Sequence, residues 1–143
     1  MRIVIDTNIW VSGLLWKGLP WELLHLAESE EIEVCMAPAM IEELTRVLAY
    51  PKLQSRLQQL RLSSEELITY AIELSSIFEI PEDNSILVKD DPDDDIFLQC
   101  AIASGAAYVV SGDYHLLDLK AYADIPILTV QEFFIKVFPS RLD

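Results

Sequence analysis

The sequence predicts an α/β protein built on a parallel sheet of about five strands, because short apolar segments alternate with helical segments along the chain. The first apolar segment, Ile3, Val4 and Ile5, shows no alternation with polar residues. Such a run is typical of a strand that is buried on both faces. The longer segments repeat their apolar residues at helical spacing. Helices on both faces of the sheet are therefore expected.

The predicted strands are short and end at polar or turn-forming residues. In chain order they comprise residues 3–5, 33–37, 86–88, 107–111 and 126–128. Pro38 closes the second strand, and Gly112 follows the fourth. In a parallel sheet the residues that follow each strand lie at the carboxyl edge, where open α/β sheets bind their ligands.

The predicted helices follow from start signals and apolar repeats. Pro20 suits the first position of the second helix, and Ser63 with Glu66 forms a capping box before a later one. Asp91 is the expected N-cap, and Pro92 the expected first helical residue, ahead of the helix that contains residues 96–104. The other predicted helices comprise residues 9–16, 39–49, 64–78 and 130–138, with a short helix from residue 115.

Composition bounds the class of protein. A chain of 143 residues, 52% of them hydrophobic, has the material for a single domain, residues 1–143. The net charge of −14 argues against simple coating of nucleic acid and is compatible with cation binding or with solubility alone. Cys35 and Cys100 are expected to be buried free thiols. No apolar run approaches the roughly 20 residues of a membrane span, and no signal-peptide pattern is present, so a cytoplasmic protein without membrane association is expected.

Acidic residues follow several of the predicted strands. Asp6 follows the first strand, Glu43 lies early in the helix after the second, residues 93–95 are Asp-Asp-Asp before a helix, and Asp113 follows the fourth strand. Carboxylates that meet at one edge repel each other unless a cation lies between them. Oxygen ligands without Cys or His suit Mg²⁺ or Mn²⁺, and Mg²⁺ commonly adds substrate phosphate oxygens. The pattern therefore indicates a metal site that acts on a phosphodiester.

Each acid also has a purely structural explanation. Asp6 and the 93–95 run could cap helices, and Asp113 could be a turn residue. Glu43 could interact favourably with the positive end of the helix dipole. The one segment with a local positive balance lies between residues 46 and 61, which include no acid. This segment could be a solvated helical face or a path for a phosphate backbone. Its basic residues are Arg46, Lys52, Arg56 and Arg61.

Several segments together resemble the PIN domain family, and in particular the VapC-like toxins of prokaryotic toxin–antitoxin systems. The resemblance extends from the first strand to beyond Leu117, and the order and spacing of the segments carry it. The matching segments are Val4-Ile5-Asp6-Thr7-Asn8, Ala37-Pro38 with Glu42-Glu43-Leu44, Asp91-Pro92-Asp93-Asp94-Asp95 with Phe97-Leu98, and Val110-Ser111-Gly112-Asp113 with Leu116-Leu117.

The resemblance implies a three-layer α/β/α fold and a metal-dependent endoribonuclease. It implies that the catalytic and metal-binding acids are Asp6, Glu43, Asp95 and Asp113, supported by hydrogen bonds from Thr7, Asn8 and Ser111. Asp95 is preferred because Leu98 and Ile102 would then pack in the core beside it, with Asp94 second. Glu42 is the alternative to Glu43. An RNA substrate, a small antitoxin partner and a homodimer are further expectations from the family.

Two other functions fit parts of the pattern. A phospho-acceptor receiver domain also places acids at strand ends, but Thr7 follows Asp6 where that family has a second acid, and Ile127-Leu128-Thr129 lacks its lysine. A catalytically silent PIN-like module could use the same acids to hold a structural ion or a basic partner. Metal binding without turnover of any RNA would favour that module.

Overall fold

The computed structural model describes residues 1–80 and 95–142, apart from the side chain of Asp95. Within these residues, six strands form one sheet: β1 (Arg2–Ile5), β2 (Glu33–Met36), β3 (Ser75–Ile77), β4 (Tyr108–Val110), β5 (Ala121–Tyr122) and β6 (Ile125–Leu128). Their order across the sheet is β3-β2-β1-β4-β6-β5. All neighbours pair in parallel except β5 and β6, which are antiparallel. The α/β class and the mainly parallel sheet are confirmed.

Helices cover the sheet and complete the three-layer α/β/α architecture. They are α1 (Thr7–Leu15), α2 (Leu19–Glu28), α3 (Pro38–Leu48), α4 (Pro51–Leu60), α5 (Ser64–Leu74), α6 (Asp95–Ser104), α7 (Tyr114–Leu117) and α8 (Val130–Val137), followed by a 3-10 helix (Pro139–Leu142). No helix in the described ranges is long and apolar enough to cross a membrane.

Strand β1 lies at the centre of the sheet because its apolar side chains are buried there on both faces. Ile3, Val4 and Ile5 are fully buried, and burial of one such aliphatic side chain contributes about 1.5–3 kcal/mol. β1 pairs with β2 on one side and with β4 on the other. The carboxyl end of β1 therefore opens at the middle of the sheet edge.

One predicted feature differs from the structure near an edge of the sheet. The helix predicted to reach residue 78 ends at Leu74, and Ser75–Ile77 forms β3 beside β2. Ser75 has an extended backbone as the C-cap, because serine favours helix ends and the segment pairs with β2 instead. The pairing continues beyond β3, where the Phe78 N–H donates to the Met36 carbonyl. The strand predicted at 86–88 and the N-cap predicted at Asp91 lie outside the described residues.

The antiparallel strand β5 is an addition that the sequence did not predict. It forms a tight hairpin with β6, in which Ala123 and Asp124 both have positive φ angles of 50° and 64°. Two successive residues with positive φ are characteristic of the turn type that suits a two-residue hairpin. The predicted buried thiols are confirmed, since Cys35 and Cys100 are both free and buried. Burial raises the pKa of Cys100 to about 12.

Candidate active site

The ends of the two central strands bring Asp6 and Asp113 to the same edge of the sheet. Ile5 pairs with Val110 across β1 and β4, and the Asp6 N–H donates to the Val110 carbonyl across 3.1 Å. Each strand then enters a helix, with Asp6 as the N-cap of α1 and Asp113 as the N-cap of α7. The predicted juxtaposition of these two acids at the carboxyl edge follows directly from this register.

Asp6 is a buried carboxylate that is held by three hydrogen bonds. Only 4% of Asp6 is exposed. Its Oδ1 accepts the Ile9 N–H across 2.9 Å. Its Oδ2 accepts the Ser111 hydroxyl across 2.5 Å and the Gly112 N–H across 3.1 Å. An ionised carboxylate has about four acceptor positions, so the donors among the described residues leave one for a further ligand.

The electrostatic setting of Asp6 disfavours its charged form. Burial raises the pKa of Asp6 above its ordinary value, and the nearby charge of Asp113 raises this pKa further. The hydrogen bonds from Ser111, Ile9 and Gly112 act in the opposite direction, since they stabilise the anion. A cation at this edge would remove the cost that burial and charge repulsion impose on the ionised carboxylate.

Ser111 connects the two strand ends through a single hydroxyl group. It is fully buried, donates to Asp6 and accepts the Asp113 N–H across 2.9 Å. The Asp113 Oδ1 in turn accepts the His115 N–H across 2.9 Å, which caps α7. Gly112 was not predicted as a site residue, and its place between Ser111 and Asp113 is the only sign of its contribution in the sequence.

Glu43 reaches the same edge from helix α3, where it meets α1. The Thr7 hydroxyl donates to Glu43 Oε2 across 2.5 Å, and Arg46 Nη2 lies 3.8 Å from Glu43 Oε1. Thr7 is 8% exposed. Glu42, the alternative to Glu43, is exposed on the outer side of α3. Asn8 is also exposed, and its side chain lines a surface groove.

The comparison with known families decides which fold family this edge belongs to. The pattern of the PIN domain family matches residues 2–115 of the sequence. This chain belongs to the PIN domain family. The matched range includes the predicted acids at positions 6, 43, 95 and 113. The family assignment removes the receiver-domain alternative.

The fold of this PIN domain also occurs in a solved structure. A chain in the crystal structure of VapBC2 from Rickettsia felis bound to a DNA fragment from their promoter superimposes with a TM-score of 0.61. The likeness covers 89% of this chain and 97% of that chain, with 13% sequence identity, and therefore shows the fold alone. No curated protein matches the sequence.

The third predicted acid of this PIN domain comes from the run at 93–95. Asp93 and Asp94 lie outside the described residues, as does the side chain of Asp95, which begins α6. The packing argument for Asp95 was wrong in one part, because Leu98 is buried whereas Ile102 is 48% exposed. The buried face of α6 comprises Phe97, Leu98, Cys100 and Ala101. Core packing thus does not distinguish among the three aspartates.

The carboxylate oxygens at this edge are chemically suitable ligands for a divalent metal. Among the side chains that the structure describes, no group of three or more His, Cys, Asp or Glu residues could hold a metal ion. Asp6 and Asp113 nevertheless interact electrostatically, and the part of the chain that the structure describes leaves one acceptor position of Asp6 open. Oxygen ligands of this kind fit Mg²⁺ or Mn²⁺. A complete metal site would need a further ligand, which the 93–95 run is placed in the sequence to provide.

The predicted basic segment is spread over two helices. Arg46 lies in α3 beside Glu43, whereas Lys52 is exposed in α4. Arg56 Nε donates to the Leu15 carbonyl across 2.9 Å, so this side chain also joins α4 to the end of α1. Arg61 is exposed and follows α4 with a positive φ of 57°. An RNA-binding role for these residues stays a prediction.

Proposed function

We propose that this PIN domain is a metal-dependent endoribonuclease that hydrolyses RNA phosphodiester bonds. The observation that carries the proposal is the buried Asp6 carboxylate, which one serine hydroxyl joins to the strand end that bears Asp113. A cap alone would need only the hydrogen bond from Ile9. The additional donors stabilise the ionised carboxylate, and the second acid beside it suits an edge that binds a cation between the two charges.

One or two Mg²⁺ or Mn²⁺ ions would be held by four acids, namely Asp6, Asp113, Glu43 and Asp95. Asp94 is the alternative to Asp95. When bound, the metal supplies charge neutralisation at the phosphate and lowers the pKa of the attacking water. Among these acids, Asp6 and Glu43 each accept a hydroxyl hydrogen bond from a buried residue of the same edge.

The chain's own residues would orient the acids and the substrate. Ser111 and Gly112 fix the direction of the Asp6 carboxylate, and Thr7 fixes Glu43. Partners of this kind commonly contribute about 10- to 100-fold to metal affinity or activity. Arg46 lies at the margin of the acidic edge, where its guanidinium would attract a flanking phosphate.

The proposed enzyme is tested by incubation of the purified chain with mixed single-stranded RNA. Cleavage is expected with Mn²⁺ or Mg²⁺, is expected to stop with excess EDTA, and should return when the metal is restored. Cleavage that continues in EDTA would contradict the metal requirement. Metal binding without cleavage of any RNA would instead favour the catalytically silent module.

We further propose that the protein is the toxin of a toxin–antitoxin pair and forms a homodimer. VapBC2, which shares the fold, is named as a complex, and the net charge of −14 suits a partner segment that carries a basic residue. A small protein encoded next to this chain should co-purify with it and suppress RNA cleavage. A neighbouring product that neither binds the chain nor suppresses cleavage would argue against this role.

A further inference from the structure

A surface groove begins one helical turn away from the contact between Thr7 and Glu43. Its cavity volume is about 550 Å³, and it lies between α1, α3 and α4. Val11 and Val47 line it. These valines follow Thr7 and Glu43 by four residues in their helices, which places them one turn along on the same faces. The groove therefore adjoins the proposed nuclease edge at a distance of about one helical turn.

Two exposed aromatic rings line this groove. Trp16 is 44% exposed and Tyr50 is 42% exposed. The Arg56 guanidinium lies over the Trp16 ring at 5.5 Å from its centroid, and its hydrogen bond to Leu15 fixes it there. Large exposed rings that a neighbouring side chain holds in place are suited to stacking with a ligand.

The charge around the groove is opposite to the charge of the whole protein. Lys52 lines the groove, and Arg46 and Arg56 lie on the helices that flank it. The net charge of the chain is −14, yet residues 46–61 contain no acid. Cations interleaved with aromatic rings match a single-stranded nucleic acid, whose phosphates and unpaired bases need both kinds of contact.

We propose that this groove binds an unpaired base of the RNA substrate, stacked on Trp16 or Tyr50. Lys52 contacts the adjacent phosphate, and the Asn8 amide, which also lines the groove, faces the edge of the base. This assignment rests on the proposed nuclease function and adds to it a base-stacking site outside the acidic edge. RNA is favoured over a peptide because Lys52 lines the groove and the acids that would act on a phosphodiester lie about one helical turn away.

The test measures the affinity of the full chain for a labelled single-stranded RNA oligonucleotide by fluorescence anisotropy, in EDTA to prevent cleavage. Trp16→Leu and Tyr50→Leu are expected to weaken binding roughly 10- to 100-fold, while Trp16→Phe stays within a few-fold of wild type. Lys52→Ala should lower the salt dependence by about one phosphate contact. The matched controls are Tyr122→Leu in β5 and Lys136→Ala in α8, which should bind as wild type does.

The outcomes separate this proposal from the proposed function. Wild-type affinity in both Trp16→Leu and Tyr50→Leu overturns the groove assignment, as does an equal loss in Tyr122→Leu. If the wild type cleaves RNA while the groove variants bind it unchanged, only the groove proposal fails. If the wild type neither binds nor cleaves any RNA, the nuclease function fails with it.

Loss of a co-purifying protein in the groove variants, with RNA affinity unchanged, also overturns the proposal and assigns the groove to that protein. Trp16→Phe controls for folding because it retains an aromatic ring at the same position.

Discussion

The Ser111 hydroxyl donates to Asp6 Oδ2 across 2.5 Å, which joins the ends of the two central strands at the point where both enter helices. The Ser111 Oγ also accepts the Asp113 N–H across 2.9 Å. One buried hydroxyl thus sets the position of Asp6 relative to the backbone of Asp113. Because three donors contact Asp6, its carboxylate has little freedom to move away from the edge.

Replacement of Ser111 with alanine should remove one donor from a buried carboxylate. We expect Ser111→Ala to lower the free energy of unfolding by about 1–3 kcal/mol, the usual cost for a hydrogen bond to a charged group. Urea denaturation measures this change, with Ser140→Ala at the exposed C-terminal helix as the control. Equal stability of Ser111→Ala and the wild type would show that the hydroxyl does not support Asp6.

Replacement of Thr7 with valine should loosen Glu43 without a large change of volume. We expect Thr7→Val to lower kcat/KM for RNA cleavage by about 10- to 100-fold, because Thr7 orients a proposed metal ligand. Thr45→Val is the matched control, since the Thr45 hydroxyl donates only to the Ile41 carbonyl in its own helix. Equal loss of activity in the two variants would contradict the role of Thr7.

Helix α3 offers two neighbouring glutamates, of which only Glu43 is oriented toward Thr7. We expect Glu43→Gln to lower RNA cleavage strongly and to weaken Mn²⁺ binding, because glutamine lacks the anionic oxygens that hard cations prefer. Glu42→Gln should leave both properties at wild-type values, since Glu42 is exposed on the outer side. Calorimetric titration with Mn²⁺ and cleavage assays measure the two effects. The reverse order of effects would assign the site to Glu42.

The raised pKa of Asp6 predicts how stability depends on pH when metal is removed by EDTA. Burial is the main cause of the rise, and the charge of Asp113 adds to it. The folded state then binds the proton more tightly than the unfolded state, whose value is near 3.8. The contribution of protonated Asp6 is therefore complete below that value and is lost as pH rises through the folded pKa.

We accordingly expect the wild type, in EDTA, to lose stability relative to Asp6→Asn as pH increases from about 4 toward neutrality. Denaturation curves at a series of pH values measure the difference. Addition of Mn²⁺ at neutral pH should recover stability in the wild type alone, because a ligand stabilises only the state that binds it. A stability difference that is constant across this pH range would contradict the raised pKa.

The central part of the fold was predictable because it depends on local signals. Ile3, Val4 and Ile5 form a fully buried strand, as their unbroken apolar run indicated, and the capping box of Ser63 and Glu66 is present. The edge strands β3 and β5 were not predicted. Both are too short to show a pattern of their own and form by pairing with β2 and β6.

The candidate site shows the same division between local and tertiary signals. Asp6 and Asp113 lie at the same edge, as predicted, because β1 and β4 are parallel neighbours. The choice of Asp95 rested on Leu98 and Ile102 as core residues, and Leu98 is buried whereas Ile102 is exposed. The spacing of apolar residues does not by itself show which of them are buried, because the sheet covers only part of the apolar side of the helix. The contributions of the Gly112 and Ile9 amides also depend on the fold, since backbone donors have no residue signature.

The central claim is that Asp6 is a metal ligand in a ribonuclease site, and one paired measurement tests it most directly. RNA cleavage in Mn²⁺ is compared among the wild type, Asp6→Asn and Asp118→Asn, an exposed aspartate at the end of α7 that serves as the control. We expect Asp6→Asn to cleave at least about 100-fold more slowly than the wild type and to lose Mn²⁺ binding, and Asp118→Asn to match the wild type. Cleavage that survives both EDTA and the Asp6→Asn substitution would contradict the claim.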